Sequence, residues 1–390
     1  MDANDQPADV ESLPTEIWQH IIAEACEDGG RTGTSLILTS KFFHTHAFYN
    51  RFDSLALTSL ARLEGFLSCV RSSVWPFPVR HLWLSPQREW KAASSYQAVA
   101  EQKKLWDARF VNAIRELLPL VTPTTRTLVI VPDGSWLGRV PWFECNFPLL
   151  EELTVCGDVA AVLPSSADSA HETGPDSATV PGSTRDLPHV PSLKRFHIAT
   201  NSSRARVALL STSSWLRASP ITHLRVSGVS DEDPKIGFTR ILARALGVPE
   251  PSIDSGWNAD GESHPALPAI PGPLMRGETI LPCLQKLMIQ TVEPNPGLRG
   301  DVDDPFDQLK ASLRELAWEI EDVEGLSLLV MEKSWKKLPN REQRLWDHWL
   351  DRMEGRKGCW VESAEEEEAL EGPDDPHPHV VTGFLFRFDS

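Results

Sequence analysis

The sequence predicts an α/β fold in which a small helical unit precedes an irregular array of strand–helix units. Three observations predict it: a compact apolar helical pattern within residues 11–50, a short hexad that recurs along the chain, and amphipathic stretches between its copies. The 390 residues are enough for two or three structural units. With 41% hydrophobic and 24% charged residues, the composition is that of a globular protein.

The charge balance limits the classes of partner. Lys and Arg number 38 against 55 Asp and Glu, which gives a formal net charge of −17. Such a chain repels phosphate backbones and anionic lipid, so we expect neither nucleic acid nor a membrane among its partners. No apolar run approaches the ~20 residues that span a bilayer, and the first residues lack the apolar core of a secretion signal. The six cysteines show no short repeat spacing, so we expect reduced thiols in a cytoplasmic or nuclear protein.

Residues 11–50 are predicted to form the helical unit. A first helix begins at Pro14, whose ring presets the backbone dihedral and lacks a donor that the first turn would leave unpaired. Glycines within residues 27–30 break this helix, and Thr34 or Ser35 can cap a second one. The apolar positions of the two helices are Ile17, Trp18, Ile21 and Ile22, then Leu36, Leu38, Phe42 and Phe43. A unit of this size seldom has enough core to stand alone, so its apolar surface should meet a partner or the rest of the chain.

Residues 13–18 (LPTEIW), the pair at 21–22 and residues 34–44 together resemble an F-box. More narrowly, they are similar to the F-box proteins that are numerous in mushroom-forming fungi, in which a segment like residues 51–60 follows the F-box. The resemblance implies a three-helix unit that docks on the Skp-type adaptor of a cullin–RING ubiquitin ligase. The positions that match the adaptor-contacting motif are Leu13, Pro14, Ile17, Ile21, Leu36, Leu38 and Phe43. In the alternative interpretation, the unit is the first helical layer of a larger domain, with Ile17 and Ile21 facing an internal core.

A hexad of one apolar residue, two polar residues and an apolar–x–apolar triplet recurs along the chain. Its copies begin at Val79, Thr125, Leu150, Leu193, Ile221 and Leu284. Alternation with a period of two predicts a short strand in the second half of each copy, with Leu and Val pointing inward. Proline precedes several copies, and helical stretches at 106–118, 206–216 and 236–246 lie between them. Residues 313–318 match the hexad, but their apolar neighbours favour a helix equally.

Strands and helices that alternate in this way resemble leucine-rich repeats. Only two of the five spacings between successive copies fit one repeat of ~20–29 residues, so residues 51–361 are predicted to form an irregular leucine-rich-repeat-like solenoid with a curved parallel sheet. The alternative is a set of unrelated βα units that share the motif by chance. In the solenoid, the polar hexad positions Thr154, His197 and Arg225 would project from the concave face. The F-box resemblance makes this face the substrate-binding surface.

The remaining segments differ in composition from the hexads. Insertions at about 157–191 and 247–279 are rich in Pro, Ser, Gly and Asp, and we expect flexible loops there, with a phosphorylation segment as the alternative for the first. Residues 342–352 predict a helix that caps the last repeat, or alternatively a tryptophan platform that binds a peptide. We expect disorder at 1–10 and in the acidic segment 362–379, and an edge strand within 380–390.

Catalytic motifs are missing from the sequence. It contains no phosphate-binding loop, no Gly-x-Ser-x-Gly elbow, no His-Glu-x-x-His and no Cys-x-x-Cys. We therefore expect no enzymatic activity, no metal and no cofactor. The resulting hypothesis is a substrate-recruiting F-box subunit of an SCF-type ubiquitin ligase, which binds the adaptor, through it a cullin, and an unknown protein target. The alternatives are a non-ligase interaction scaffold with a vestigial F-box, and an unrecognised hydrolase.

Overall fold

The computed structural model describes thirteen stretches of the chain. They are residues 13–48, 50–72, 78–87, 95–131, 145–157, 190–199, 219–229, 238–248, 281–292, 305–321, 323, 325–331 and 340–361. The N-terminal tail, the helix predicted at 206–216, nearly all of both insertions, the acidic segment and the strand predicted at 380–390 lie outside these residues. Three layers are described: helices on one face of a parallel sheet, the sheet itself, and C-terminal residues on its other face.

Three short helices form the N-terminal unit: α1 (Thr15–Ala25), α2 (Arg31–Thr39) and α3 (Lys41–Ala47). Ser40 separates α2 from α3, because its backbone is extended and its hydroxyl accepts a hydrogen bond from the Phe43 N–H at 3.2 Å. The cap predicted at Thr34 or Ser35 is wrong. The α2 helix begins after Gly30, and both hydroxyls instead donate to carbonyls one turn back in the helix.

Across the described residues, eight strands form one sheet. They are β1 (Ser54–Ser59), β2 (His81–Gln87), β3 (Thr127–Ile130), β4 (Glu152–Cys156), β5 (Arg195–Ala199), β6 (His223–Val229), β7 (Lys286–Thr291) and β8 (Ser327–Met331). Each strand pairs in parallel with the next one along the chain. The strand predicted in each of the six hexads is confirmed, as β2 to β7, whereas β1 and β8 were not predicted.

The central apolar residues of the hexads form one continuous row across the sheet. The row runs Leu55, Leu82, Leu128, Leu153, Phe196, Leu224, Leu287 and Leu328. Four helices pack on this side: α4 (Leu60–Arg71), α5 (Tyr96–Val121), α6 (Phe238–Leu246) and α7 (Pro305–Glu321). The hexad-like residues 313–318 lie in α7. Because a parallel sheet is stable when both faces are covered, the opposite face also needs a partner.

Helix α8 (Asn340–Met353) and the residues that follow it cover that opposite face. The sequence predicted a helix here that caps the last repeat. The placement is wrong, because α8 buries its apolar stripe against Trp83, Val129 and Cys156 on β2 to β4. Those side chains offer the apolar stripe of α8 an apolar surface on the face of the sheet itself.

Candidate functional site

The apolar residues of α1 divide between two adjacent faces of the helix. Ile22 and Cys26 are fully buried and form the centre of a small cluster with Trp18 and residues of α2 and α3. Ile17 and Ile21 lie four residues apart on the other face, and Leu13 lies two residues before α1; each of the three keeps 44–47% of its surface exposed. The unit therefore has a core of its own and a separate exposed apolar stripe.

The seven predicted adaptor-contacting residues are not equally accessible. Leu13, Pro14, Ile17, Ile21 and Leu38 are exposed, and Leu38 exposes 82% of its surface. Leu36 and Phe43 are instead partly buried against the inner cluster. The alternative in which Ile17 and Ile21 face an internal core is wrong, because both remain nearly half exposed. We call Leu13, Ile17, Ile21 and Leu38 the apolar face.

Close backbone contacts hold the scaffold of the apolar face rigid. Gly30 adopts a φ of 82°, a left-handed conformation that favours glycine at the turn before α2. A Cβ atom on Gly33 would lie 2.8 Å from the Cα of Arg51, so α2 packs directly on the following segment. The Asp28 carboxylate accepts hydrogen bonds from the Thr32 N–H at 3.0 and 3.1 Å and satisfies a donor in the first turn of α2.

A second candidate site lies on the sheet face opposite the helices. Thr154, His197 and Arg225 pair in register on β4, β5 and β6, so they do share one row, as the hexads predict. The prediction that they project into solvent needs correction, since His197 and Arg225 are only 1% exposed. The reason is the covering segment 340–361, of which residues 342–352 were predicted to cap the last repeat instead.

Tryptophans dominate the first half of this cover. The ring centroids of Trp83 on β2 and Trp349 on α8 lie 5.7 Å apart, and Trp346 contacts Trp83 edge-on at 5.1 Å. Leu345 and Met353 complete the apolar contact with β3 and β4. This half of the cover is held to the sheet by apolar burial.

The second half of the cover, residues 354–361, we call the strap; polar side chains of the sheet hold it. The Arg225 guanidinium donates to the Cys359 carbonyl, and also to Gln290 Oε1 at 2.8 Å. Lys286 Nζ donates to the Val361 carbonyl at 2.7 Å. The strap is therefore bound in part through its main chain.

Trp360 is the main side-chain contact of the strap. Its indole Nε1 donates to Glu152 Oε2 at 3.2 Å, and its ring meets His197 and His223 edge-on at 6.4 and 6.1 Å. Glu152 is only 6% exposed and also accepts from Arg195 Nη1 at 2.5 Å and Arg352 Nε at 3.1 Å. A carboxylate thus joins β4, β5, α8 and the strap.

Sequence reasoning missed Glu152, although a signal was present. In the hexad at 150–155, Glu152 is the residue just before the central apolar position. In the other five hexads this position is not acidic; it is His81, Thr127, Arg195, His223 or Lys286. An acid in a row of bases predicts a charged cluster once the strands are in register.

Burial holds two ionisable groups at the strap, His197 and Cys359, in their neutral forms. Burial, with the charge of Arg225 nearby, lowers the pKa of His197 well below its usual value. Burial raises the pKa of the Cys359 thiol to about 11, so this thiol remains protonated at neutral pH. Cys359 Sγ lies 3.8 Å from His197 Nδ1, but a neutral thiol beside a neutral imidazole is not an activated nucleophile.

Comparisons of this chain with protein-family models, with curated protein sequences and with solved structures find no match. The described residues contain no group of three or more His, Cys, Asp or Glu side chains arranged to hold a metal ion. In the same part of the chain, no helix is both long and apolar enough to cross a bilayer.

Proposed function

We propose that this chain is the substrate-recruiting F-box subunit of an SCF-type ubiquitin ligase. The observation that carries the proposal is the apolar face, which stays exposed on a helical unit that already has its own core. An exposed apolar stripe on a rigid support is typical of a protein-docking surface. Its residues are four of the seven that match the adaptor-contacting motif, and Pro14, a fifth, precedes α1.

The remainder of the chain would hold the target. Eight parallel strands in sequence order, with one apolar row in register, support the interpretation of an irregular leucine-rich-repeat-like solenoid. A receptor of this kind acts by position. It raises the effective concentration of substrate lysines near an E2 enzyme that another subunit holds, and it performs no chemistry itself.

The test is a pull-down of a purified Skp-type adaptor by the full chain, wild type beside an Ile17→Asp, Leu38→Asp double variant. We expect the variant to lose binding by about 100-fold or more, because it places two unpaired charges in an apolar interface. Leu36 is unsuitable for this purpose, since it packs against the inner cluster and its replacement would disturb folding. The matched control is Leu105→Asp, an equally drastic change at a residue of α5 that is 63% exposed.

The possible outcomes separate the hypotheses. Binding that survives the double substitution would show that the apolar face is not the interface. If folded wild-type chain fails to retain the adaptor, the proposal is wrong and the non-ligase scaffold becomes the better explanation. Thermal unfolding of every sample shows whether each variant is folded.

A further inference from the structure

The strap lies on the sheet in the manner of a bound peptide. Two of its carbonyls, those of Cys359 and Val361, accept hydrogen bonds from Arg225 and Lys286 on neighbouring strands. One large side chain, Trp360, is inserted and recognised by Glu152. Main-chain capture together with a single side-chain anchor is how proteins recognise extended peptides.

We propose that the face of β4 to β7 is a binding groove for an extended peptide that carries a tryptophan followed by an aliphatic residue and then acidic residues, and that the strap occupies this groove in cis. The inference rests on the target-binding half of the proposed function and deepens it by naming the class of target segment. It does not depend on what the apolar face binds.

The contrast between the two halves of the cover supports a groove rather than a permanent core. Helix α8 is held by its tryptophans against Trp83 on β2 and by apolar side chains of β3 and β4. The strap leaves its first four residues, 354–357, exposed, and it reaches the sheet mainly through the Cys359–Val361 tripeptide. Three side chains of the strap, those of Cys359, Trp360 and Val361, pack on the sheet, in one cluster with Met288 and Met331. Another peptide that supplies the same three contacts can replace it.

The charged side chains of the groove indicate which residues a target peptide should contain. The row that faces the end of the strap contains the bases Arg195, His223 and Lys286 and one acid, Glu152, which pairs with Arg195; Arg225 lies in the next row on the same face. In the sequence, eight acidic residues and no basic residue follow Val361 within 362–375. Bases on the groove and acids after the tripeptide are complementary, so we expect a target peptide to show the same order.

Attachment in cis gives the strap an advantage over a free peptide. A short connection to α8 produces an effective concentration on the order of millimolar. The strap therefore occupies the wild-type groove most of the time. A separate peptide should bind measurably only when a substitution weakens the strap, or when the peptide binds the groove more tightly than the strap does.

The test measures fluorescence anisotropy of a fluorescein-labelled peptide with the sequence of residues 354–366, titrated with the full chain under reducing conditions. Trp360→Ala removes the indole from the groove and its hydrogen bond to Glu152. We expect this variant to bind the peptide about tenfold more tightly than the wild type, or better. A peptide in which alanine replaces the tryptophan should bind neither protein.

Two further variants locate the binding. In the Trp360→Ala background, Lys286→Met should weaken peptide binding by about fivefold, because it removes the donor to the third carbonyl of the tripeptide. Lys194→Met changes an exposed lysine just before β5 and should leave binding unchanged. If Trp360→Ala lowers the melting temperature below the assay temperature, Trp360→Leu keeps an apolar side chain there and serves in its place.

A folded variant that fails to bind the peptide overturns the proposal, and so does equal binding by wild type and variant. Retention of the Skp-type adaptor is measured on the same samples. Loss of peptide binding with intact adaptor binding would refute the groove alone, whereas the reverse result would refute the adaptor interface alone.

Discussion

At the scale of single residues, Glu152 links three side chains on the covered face. Its carboxylate is buried, and it accepts hydrogen bonds from Arg195, Arg352 and the Trp360 indole. Desolvation of a carboxylate is costly, and here two guanidinium groups and an N–H offset that cost. Removal of the carboxylate would leave two arginines without their shared counter-charge in a partly buried site.

We predict that Glu152→Ala lowers the free energy of unfolding by about 3–5 kcal/mol, the usual result of breaking a buried ion pair on one side. Urea denaturation of the purified chain measures this change. The control is Glu64→Ala, because Glu64 pairs with Arg109 at 2.6 Å on an exposed surface. That pair should contribute at most about 1 kcal/mol. Equal effects of the two substitutions would contradict the role assigned to Glu152.

At the scale of elements, α8 binds the sheet through its tryptophans, and we predict how replacing one of them changes stability. Trp349 is 2% exposed and packs on Trp83, whereas Trp318 on α7 is 76% exposed. Trp349→Ala should therefore destabilise the chain by about 3–5 kcal/mol through the cavity that it leaves. Trp318→Ala should change stability by no more than about 0.5 kcal/mol. Thermal and urea unfolding of both variants measure these changes in stability. A Trp349→Ala variant as stable as the wild type would show that α8 does not pack there in solution.

The elements differ in how far the sequence could predict them. Period-two alternation after a polar pair located β2 to β7, because each of these strands repeats the same hexad. Strands β1 and β8 contribute Leu55 and Leu328 to the same row. Residues 52–57 match the hexad, so β1 could have been predicted, whereas β8 lacks the hexad and only its pairing with β7 shows it to be a strand. The stripe on α8 predicted that the helix buries one side. An amphipathic pattern shows which side of a helix is buried, but it does not show which part of the protein covers that side.

At the scale of the whole molecule, the candidate sites depended on contacts that are distant in sequence. The row that contains His197 and Arg225 follows from strand alternation, but their burial follows from residue 359, which lies 134 positions beyond Arg225. Similarly, α1 has two neighbouring apolar stripes, and their spacing alone does not decide which stripe faces outward. The F-box resemblance selected Leu13, Ile17 and Ile21, and the exposure of these side chains agrees with that selection.

The last prediction concerns the effect of acid on the molecule, since buried histidines lie on its covered face. Burial lowers the pKa of His81 from 6.5 to about 4 and that of His197 well below 6.5. Above pH 6.5 these side chains are neutral in the folded and the unfolded chain, and their titration does not change stability. As the pH falls below 6.5, the unfolded chain binds protons that the folded chain excludes, so the free energy of unfolding decreases until the folded pKa is reached.

We expect each of these two histidines to lower the free energy of unfolding by about 1 kcal/mol between pH 7.5 and 5.5, a range above the ordinary pKa of Asp and Glu. Urea denaturation at the two pH values measures the loss. His197→Gln removes one of the four histidines whose pKa is lowered, the others being His81, His223 and His348, and should make the pH dependence shallower by the share of that one group. His20→Gln, on the exposed side of α1, should leave it unchanged. A wild-type chain that is equally stable at both pH values would show that water reaches these histidines, and therefore that residues 340–361 do not stay on the sheet.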